Sequence, residues 1–470
     1  MTTSTDHNNG SSFFKLLGQA VRGDVKDFTT GSIDRAIFLL AVPMVLEMML
    51  ESTFALVDIF FVNKVSPAAT TVVGLTETSL TILYSLAWGL AMGATALIAR
   101  RAGEKDFKQA AEIAGQAIMI AIIFSVFISA VGIIFPKQIL LFMGASHAIA
   151  QENYGFTQLM LGGNMVIMLL FVNNGIFRGA GDASIAMRSL LISNAINIVL
   201  DPLLIMGYGP FPKMGVMGAA VATTIGRTCG VIYQLYHLFN GKDLVKLTIK
   251  ELSIKLELVK KLLNTSAGGM VQFLIGSCSW IFLARIIAGS GEEATAGYFT
   301  AVRICIFTIL PAWGIANAAA TLTGQNLGAK QPERAERSVW RSAFLAMCFF
   351  AIVAVIFYFF GAALMKFFTS NRIEIAEGTK CLRILAIGYI FFAYGMVLSQ
   401  AFNGAGDTRT PTYVNLFVFW LLQIPFAWLI ATHFGWGTTG VYIAISVCES
   451  ILAMVFIILF KKGKWKLVQV

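Results

Sequence analysis

Arg178-Gly179-Ala180-Gly181-Asp182 recurs in this chain as Asn403-Gly404-Ala405-Gly406-Asp407, 225 residues further on. One echo of five residues carries little weight. The same offset, however, lays Trp88-Gly89 on Trp313-Gly314, Gly103 on Gly328, Lys105 on Lys330 and Ala110 on Ala335. A register held over roughly ninety residues marks a duplicated unit, and the fold follows from what each copy contains.

Each copy contains apolar blocks and little else. The chain is 57% hydrophobic with a mean hydropathy of +0.76 and only 13% charged, against roughly 45–50% apolar and 25% charged in a soluble domain. Blocks long enough to cross a bilayer core as helices lie near 36–62, 72–99, 110–135, 154–177, 189–207, 215–238, 262–288, 295–323, 342–367, 382–402, 412–433 and 438–460. They are too continuous for the short alternating strands of a membrane barrel. The expected fold is therefore an all-α membrane protein of about twelve transmembrane helices. Six spans per copy make the halves parallel repeats, two pseudo-symmetric lobes around a central cleft, related by an axis along the membrane normal.

The formal charge of +10 raises the question of nucleic acid, but the cations sort by side of the membrane. About 25 of the 35 Lys and Arg fall in the N-terminal arm, the loops after even-numbered spans, and the C-terminal tail. By the positive-inside rule both termini are then cytoplasmic, in the inner (plasma) membrane, and no nucleic-acid partner is called for. The expected organisation is a cytoplasmic arm over 1–35, an N-lobe over 36–239, a linker over 240–261, a C-lobe over 262–460 and a basic tail over 461–470. The arm has no cleavable leader pattern and can form a short interfacial helix around Phe13, Phe14, Leu16 and Leu17. The linker alternates polar and apolar residues as an amphipathic surface helix does. Six scattered cysteines and four dispersed histidines have no metal-ligand spacing, so no cofactor is expected. The Gly-Ala-Gly-Asp segments could suggest an intramembrane aspartyl protease, but both lie at predicted helix ends, where a glycine turn and a capping Asp explain them.

Carboxylates at membrane depth are costly and mark functional candidates. Glu47, Glu51 and Asp58 in the first span are separated by 4 and 7 residues, which sets all three within an arc of roughly 40° on one helix face. In the fifth span Asn197 and Asp201 share a face and Pro202 follows, removing a backbone donor. Thr223 in the sixth span can add a hydroxyl. The second copy carries Leu283, Leu422 and Phe426 at the positions of Asp58, Asn197 and Asp201. Ion chemistry is thus expected in the N-lobe, with an aromatic-rich C-lobe as apolar wall. Arg227 reaches the depth of the two glutamates and is expected to pair with one, Glu47, leaving Glu51 as a proton relay or an acid of the cavity wall.

Four segments together resemble the multidrug and toxic compound extrusion (MATE) family: Pro43 with Leu56-Val57-Asp58-Ile59-Phe60-Phe61-Val62, Phe177 through Asp182, Asn194 through Pro202, and Gly324-Gln325-Asn326-Leu327-Gly328-Ala329. The resemblance covers about 33–460. It implies two six-helix lobes and efflux of organic cations or other amphiphilic small molecules, exchanged for H⁺ or Na⁺ at an N-lobe site formed by Asp58, Asn197 and Asp201. Gln272 and Gly276 in the seventh span, and no acid within the tenth, make the chain look closer to the DNA-damage-inducible branch than to the branch with a C-lobe cation site. Nothing in the sequence calls for an oligomer, so a monomer is expected. The rival readings are a lipid-linked oligosaccharide flippase of the same superfamily, expected to be longer with about fourteen spans, and a membrane-embedded enzyme, for which no nucleophile or metal constellation is present.

Overall fold

The computed structural model describes residues 9–469 except 26, 63, 64 and 241–243, and describes no side chain at 9–12, 55, 56, 58, 59 and 67. Within that range the secondary structure is helical, with no strand among the described residues. The first lobe comprises α2 (Ile33–Val62), α3 (Pro67–Gly103), α4 (Phe107–Ile134), the short α5 (Pro136–Phe142), α6 (His147–Gly162) running on into α7 (Asn164–Ala180), α8 (Ala183–Met206) and α9 (Val216–Phe239), preceded by α1 (Asn9–Arg22). The second comprises α10 (Leu256–Ala288), α11 (Glu292–Gly328), α12 (Pro332–Phe368), α13 (Arg372–Gly404), a span over Arg409–His433 and α16 (Gly437–Lys461). That Arg409–His433 span alternates α14 (Arg409–Asn415) and α15 (Ile424–Trp428) with π-helical stretches Leu416–Gln423 and Leu429–His433. Eleven of these segments are long and apolar enough to cross a membrane. The twelfth is α2, whose 30 residues include Glu47, Glu51 and Asp58.

Backbone geometry bears out the duplication. Among the described residues, Lys105 (φ 62°) and Lys330 (φ 58°) are the non-glycines with left-handed φ, and they stand at equivalent positions of the two copies. Gly181 (φ 86°) and Gly406 (φ 89°) repeat the left-handed helix stop of the Gly-Ala-Gly-Asp turns. The acids after those glycines differ in detail. Asp407 accepts from the Thr410 amide at 3.2 Å and hydroxyl at 2.6 Å, whereas Asp182 caps no α8 amide and accepts from Ser184 Oγ at 2.7 Å.

The lobes meet at the end of the molecule that carries both termini. There α2 packs on α11 and α10 on α3, so the first helix of each lobe lies on the second helix of the other. The tightest approach is reciprocal. A Cβ on Gly103 would lie 2.0 Å from the Gln325 carbonyl oxygen, and one on Gly328 would lie 2.1 Å from that of Arg100. Arg100 and Gln325 are themselves 225 apart, so one contact is the symmetry copy of the other. Next to this clasp Arg334 donates to the carbonyls of Phe28 at 3.2 Å, Thr30 at 2.9 Å and Gly31 at 2.9 Å. Arg341 pairs with Asp34 at 2.6 Å, and Arg100 donates to the Val468 carbonyl at 3.1 Å. Halfway through the molecule the equivalent residues Trp88 and Trp313 face each other, ring centroids 6.3 Å apart.

Local structure departs from expectation in the linker. Its described residues form only a 3-10 turn, Ile249–Leu252, before α10 begins at Leu256. The Gln116 side chain accounts for this, because it donates to the carbonyls of Glu251 (3.2 Å) and Ser253 (2.8 Å) and accepts from the Lys255 amide (2.9 Å). Those backbone groups are pinned to α4 instead of pairing within a helix. The N-terminal arm does form a helix, α1, with Ala20 buried in a cluster with Ile37, Leu40 and Met44 of α2.

Candidate functional site

The acidic stripe on α2 is braced by two arginines from neighbouring helices. Arg178, in the last turn of α7, places Nη1 3.2 Å from Glu47 Oε1, with both side chains buried. Arg227 of α9 places Nη2 3.4 Å from Glu51 Oε1 and stacks its guanidinium 4.7 Å from the centre of the Phe54 ring. This corrects the expectation that Arg227 would pair with Glu47 and leave Glu51 open. Depth along α9 alone suggested that partner. From the last turn of α7 the Arg178 side chain instead reaches Glu47, and Arg227 meets Glu51.

The second lobe repeats the first brace without charge. Gln272 and Asn403 occupy the positions of Glu47 and Arg178 in the repeat. They exchange amide hydrogen bonds, Gln272 Nε2 to Asn403 Oδ1 at 3.1 Å and Asn403 Nδ2 to Gln272 Oε1 at 3.2 Å. Tying the first helix of the lobe to the helix before the glycine turn is therefore a property of the duplicated unit. The N-lobe alone makes the tie ionic.

One to two turns beyond Glu51, the predicted polar residues of α8 and α9 come together. Asn197 and Asp201 are fully buried, and Thr223 is 3% exposed. Asn197 Nδ2 donates to Asp201 Oδ1 at 3.2 Å and reaches Thr223 Oγ1 at 3.5 Å. The Asp58 side chain lies outside the described residues, but its level on α2 follows from the helix pairing. Asn194 Nδ2 donates to the Leu50 carbonyl at 2.7 Å and fixes α8 against α2. The two helices are the first and fifth spans of an alternating bundle and so run parallel. Asp58 and Asp201, eight and seven residues on from that bond, are at the same height to within about 2 Å. α8 continues through Pro202 to Met206, so the proline sits in its last turn without breaking it.

Apart from this cluster, none of whose residues lines it, is a cavity of about 710 Å³, walled mainly by α10, α11, α13 and α16, with α3 and Arg178 on the N-lobe side. Trp88, Phe273, Trp280, Phe299, Trp313 and Phe392 are among its aromatic lining. Arg178 and Glu449 are its charged lining residues. Glu449 escaped the sequence reading, although the signal was present: it is the lone carboxylate in the apolar block 438–460.

Two segments of the chain, residues 43–203 and 269–429, match the family model MatE, the second match starting 226 residues after the first. The chain belongs to the MatE family. Among the relatives of this MatE chain, the probable multidrug resistance protein NorM of Thermotoga maritima is 26% identical, the match covering 92% of this chain and 93% of the relative. A FAD transporter of Shewanella oneidensis is 22% identical over 90% of this chain and 96% of its own length. A crystal structure of a MATE protein in complex with MaL6 superposes with a TM-score of 0.87 at 26% identity, covering 96% of this chain and 99% of that one. The chain is thus a multi-pass membrane transporter and not an enzyme.

Proposed function

We propose that this MatE protein is an antiporter that exports organic cations or other amphiphilic small molecules in exchange for H⁺ or Na⁺ bound at Asp58, Asn197 and Asp201, with Thr223 beside them. One observation carries the reading. A carboxylate, an amide and a hydroxyl are gathered in the interior of the N-lobe, where the other copy has Phe426, Leu422 and Cys448. Conserving the fold did not require these groups, and burying them has a desolvation cost that a bound cation offsets. The chain acts alone in the bilayer, needs no cofactor, and takes small molecules as cargo. Gln272 and Gly276 in the seventh span, with no acid in the tenth, support a reading nearer the DNA-damage-inducible branch.

Coupling follows from charge. Loading H⁺ or Na⁺ neutralises the buried carboxylates and so changes the relative stability of the two lobe arrangements; a ligand shifts such an equilibrium only through its differential affinity for the two states. With both termini cytoplasmic, as the Lys and Arg asymmetry implies, the clasp between Gly103, Gln325, Gly328 and Arg100 closes the cytoplasmic side. Glu47 and Glu51, each held by an arginine, act as braces of α2, and a relay through Glu51 would require it to leave Arg227. An anionic cargo such as the Shewanella relative's name implies is disfavoured, because the cavity's single base, Arg178, is already neutralised by Glu47.

The test is efflux from everted vesicles carrying the chain. Accumulation of an organic cation dye that collapses on dissipating the H⁺ or Na⁺ gradient supports the reading. Movement of lipid-linked sugar without dye transport overturns it in favour of a flippase.

A further inference from the structure

The connection from α12 to α13 carries a concentration of positive charge at the end of the molecule remote from the termini. In the twelve-span order every other connection at that end has at most one Lys or Arg, whereas this one has Arg372 and Lys380, with Lys366 and Arg383 in the flanking turns. Arg372, Lys380 and Arg383 are separated by 8 and 3 residues, which sets them within roughly 80° on one face of α13. All three line a groove of about 590 Å³ where α13 meets Ala362 of α12, and no acid lines it. Phe359 and Ile387, one turn nearer the bilayer centre than Ala362 and Ile384 of the groove, are exposed. The groove therefore opens on the apolar outer face of the bundle, which the bilayer covers.

Two of these cations lack a counter-charge. Lys380 pairs with Glu377 at 2.7 Å, an acid that also accepts from the Thr438 hydroxyl at 2.7 Å. Glu374 stands about 160° round the helix from Arg372. Arg372 and Arg383 form no ion pair among the described residues. Arg383 is oriented all the same, since its Nε donates to the Tyr358 carbonyl at 3.0 Å and its guanidinium lies 5.8 Å from the centre of that tyrosine's ring. Both Nη groups, four of the five N–H donors of an arginine, are left for an outside acceptor. A lone cation that snorkels from a helix end meets whatever headgroup is near and defines no site. Here several cations share one concavity whose remaining wall is apolar. A fixed guanidinium without a carboxylate favours a phosphate, which it can bond through two parallel N–H groups, and the apolar wall suits a hydrocarbon chain continuing from that phosphate.

We propose that this groove binds an anionic phospholipid, with the phosphate diester held by Arg372, Lys380 and Arg383 and an acyl chain running past Ile384 toward Ile387. The site concerns the contact of the C-lobe with the bilayer and stands independently of the export reading. The full-length chain, carrying one fluorophore at Ile387→Cys in a Cys-free background, is reconstituted in phosphatidylcholine vesicles. Quenching is followed as brominated phosphatidylglycerol or brominated phosphatidylcholine is added. Phosphatidylglycerol should be preferred at Ile387 by about threefold or more, against near parity at a second reporter, Phe127→Cys, at an exposed position of α4. Combining Arg372→Gln with Arg383→Gln, which leaves Lys380 to Glu377, should bring the Ile387 preference to parity. Unchanged quenching by brominated phosphatidylcholine shows that this variant is folded, and Arg383→Lys should keep a preference. A preference that survives the double substitution, or that is equal at Ile387 and Phe127, overturns the assignment. Its abolition by glycerol phosphate added to the medium does so too, because the occupant is then a soluble ester.

Discussion

Replacing the ionic brace of the N-lobe by the amide brace of the C-lobe, Glu47→Gln with Arg178→Asn, should be nearly neutral although each half of the change is costly. At 3.2 Å two unit charges attract by about 5 kcal/mol at an effective dielectric of 20, and desolvation of both groups cancels much of this. Breaking the pair from one side is different, because the other charge is stranded; side-chain exposures are only 5% for Arg178 and 1% for Glu47. Such losses are about 3–5 kcal/mol. A stranded carboxylate can also escape by taking up a proton, which at pH 7 costs about 3.7 kcal/mol for a carboxylate of ordinary acidity, so Arg178→Asn should cost about 3 kcal/mol and no more than that ceiling. The double variant installs the pair that Gln272 and Asn403 form at the equivalent positions, and should lie within about 1 kcal/mol of wild type after allowing for the smaller Asn. Unfolding in mixed micelles by SDS titration measures all four members of the cycle, with an expected coupling of about 5–8 kcal/mol. If the double variant is as unstable as the sum of the singles, the pair is not the isolated, exchangeable brace inferred here.

Three further outcomes follow. Arg227→Met should lower the amount of folded protein by stranding Glu51, and adding Glu51→Gln should restore it; Glu51→Gln alone that folds normally but slows export across pH 6 to 8 would reinstate the relay role. Gly103→Ala and Gly328→Ala each force a methyl group to within about 2 Å of a backbone oxygen of the opposite lobe, so distance measurements between spin labels on the two lobes should show the terminus-bearing end opening, and an unchanged distance distribution would contradict the clasp. Single cysteines at Lys250→Cys and Glu292→Cys in a Cys-free background should label from opposite sides of the membrane, and same-side labelling would overturn the twelve-span orientation.

The architecture was legible because the bilayer leaves few choices: apolar blocks must be helices, and a repeat offset of 225 residues fixes two parallel lobes. The cluster of Asn197, Asp201 and Thr223 was legible for a related reason, since polar groups stand out against an apolar background. Partnerships were not. Arg178 stood at a predicted helix end, and only the reach of its side chain across to α2 reveals it as the partner of Glu47. Position along a helix gives depth, but which neighbour faces which depends on the lateral arrangement of helices. The linker misled because its alternation of polar and apolar residues is compatible with a segment docked on α4 through Gln116 as well as with a surface helix. Glu449 was not legible because a solitary carboxylate in the second lobe has no periodicity to announce it.

The central claim is that cargo movement is driven by an ion held in the N-lobe, and its most direct test is transport in proteoliposomes containing only the purified chain. An H⁺ or a Na⁺ gradient is imposed separately, without the other, and movement of a fluorescent organic cation is followed for wild type, Asp58→Asn, Asp201→Asn and Asn197→Ala. The account predicts transport with one or both gradients, its loss in both aspartate variants despite normal incorporation, and partial activity in Asn197→Ala. Gradient-independent movement by wild type, or full gradient-driven transport by Asp201→Asn, would contradict it.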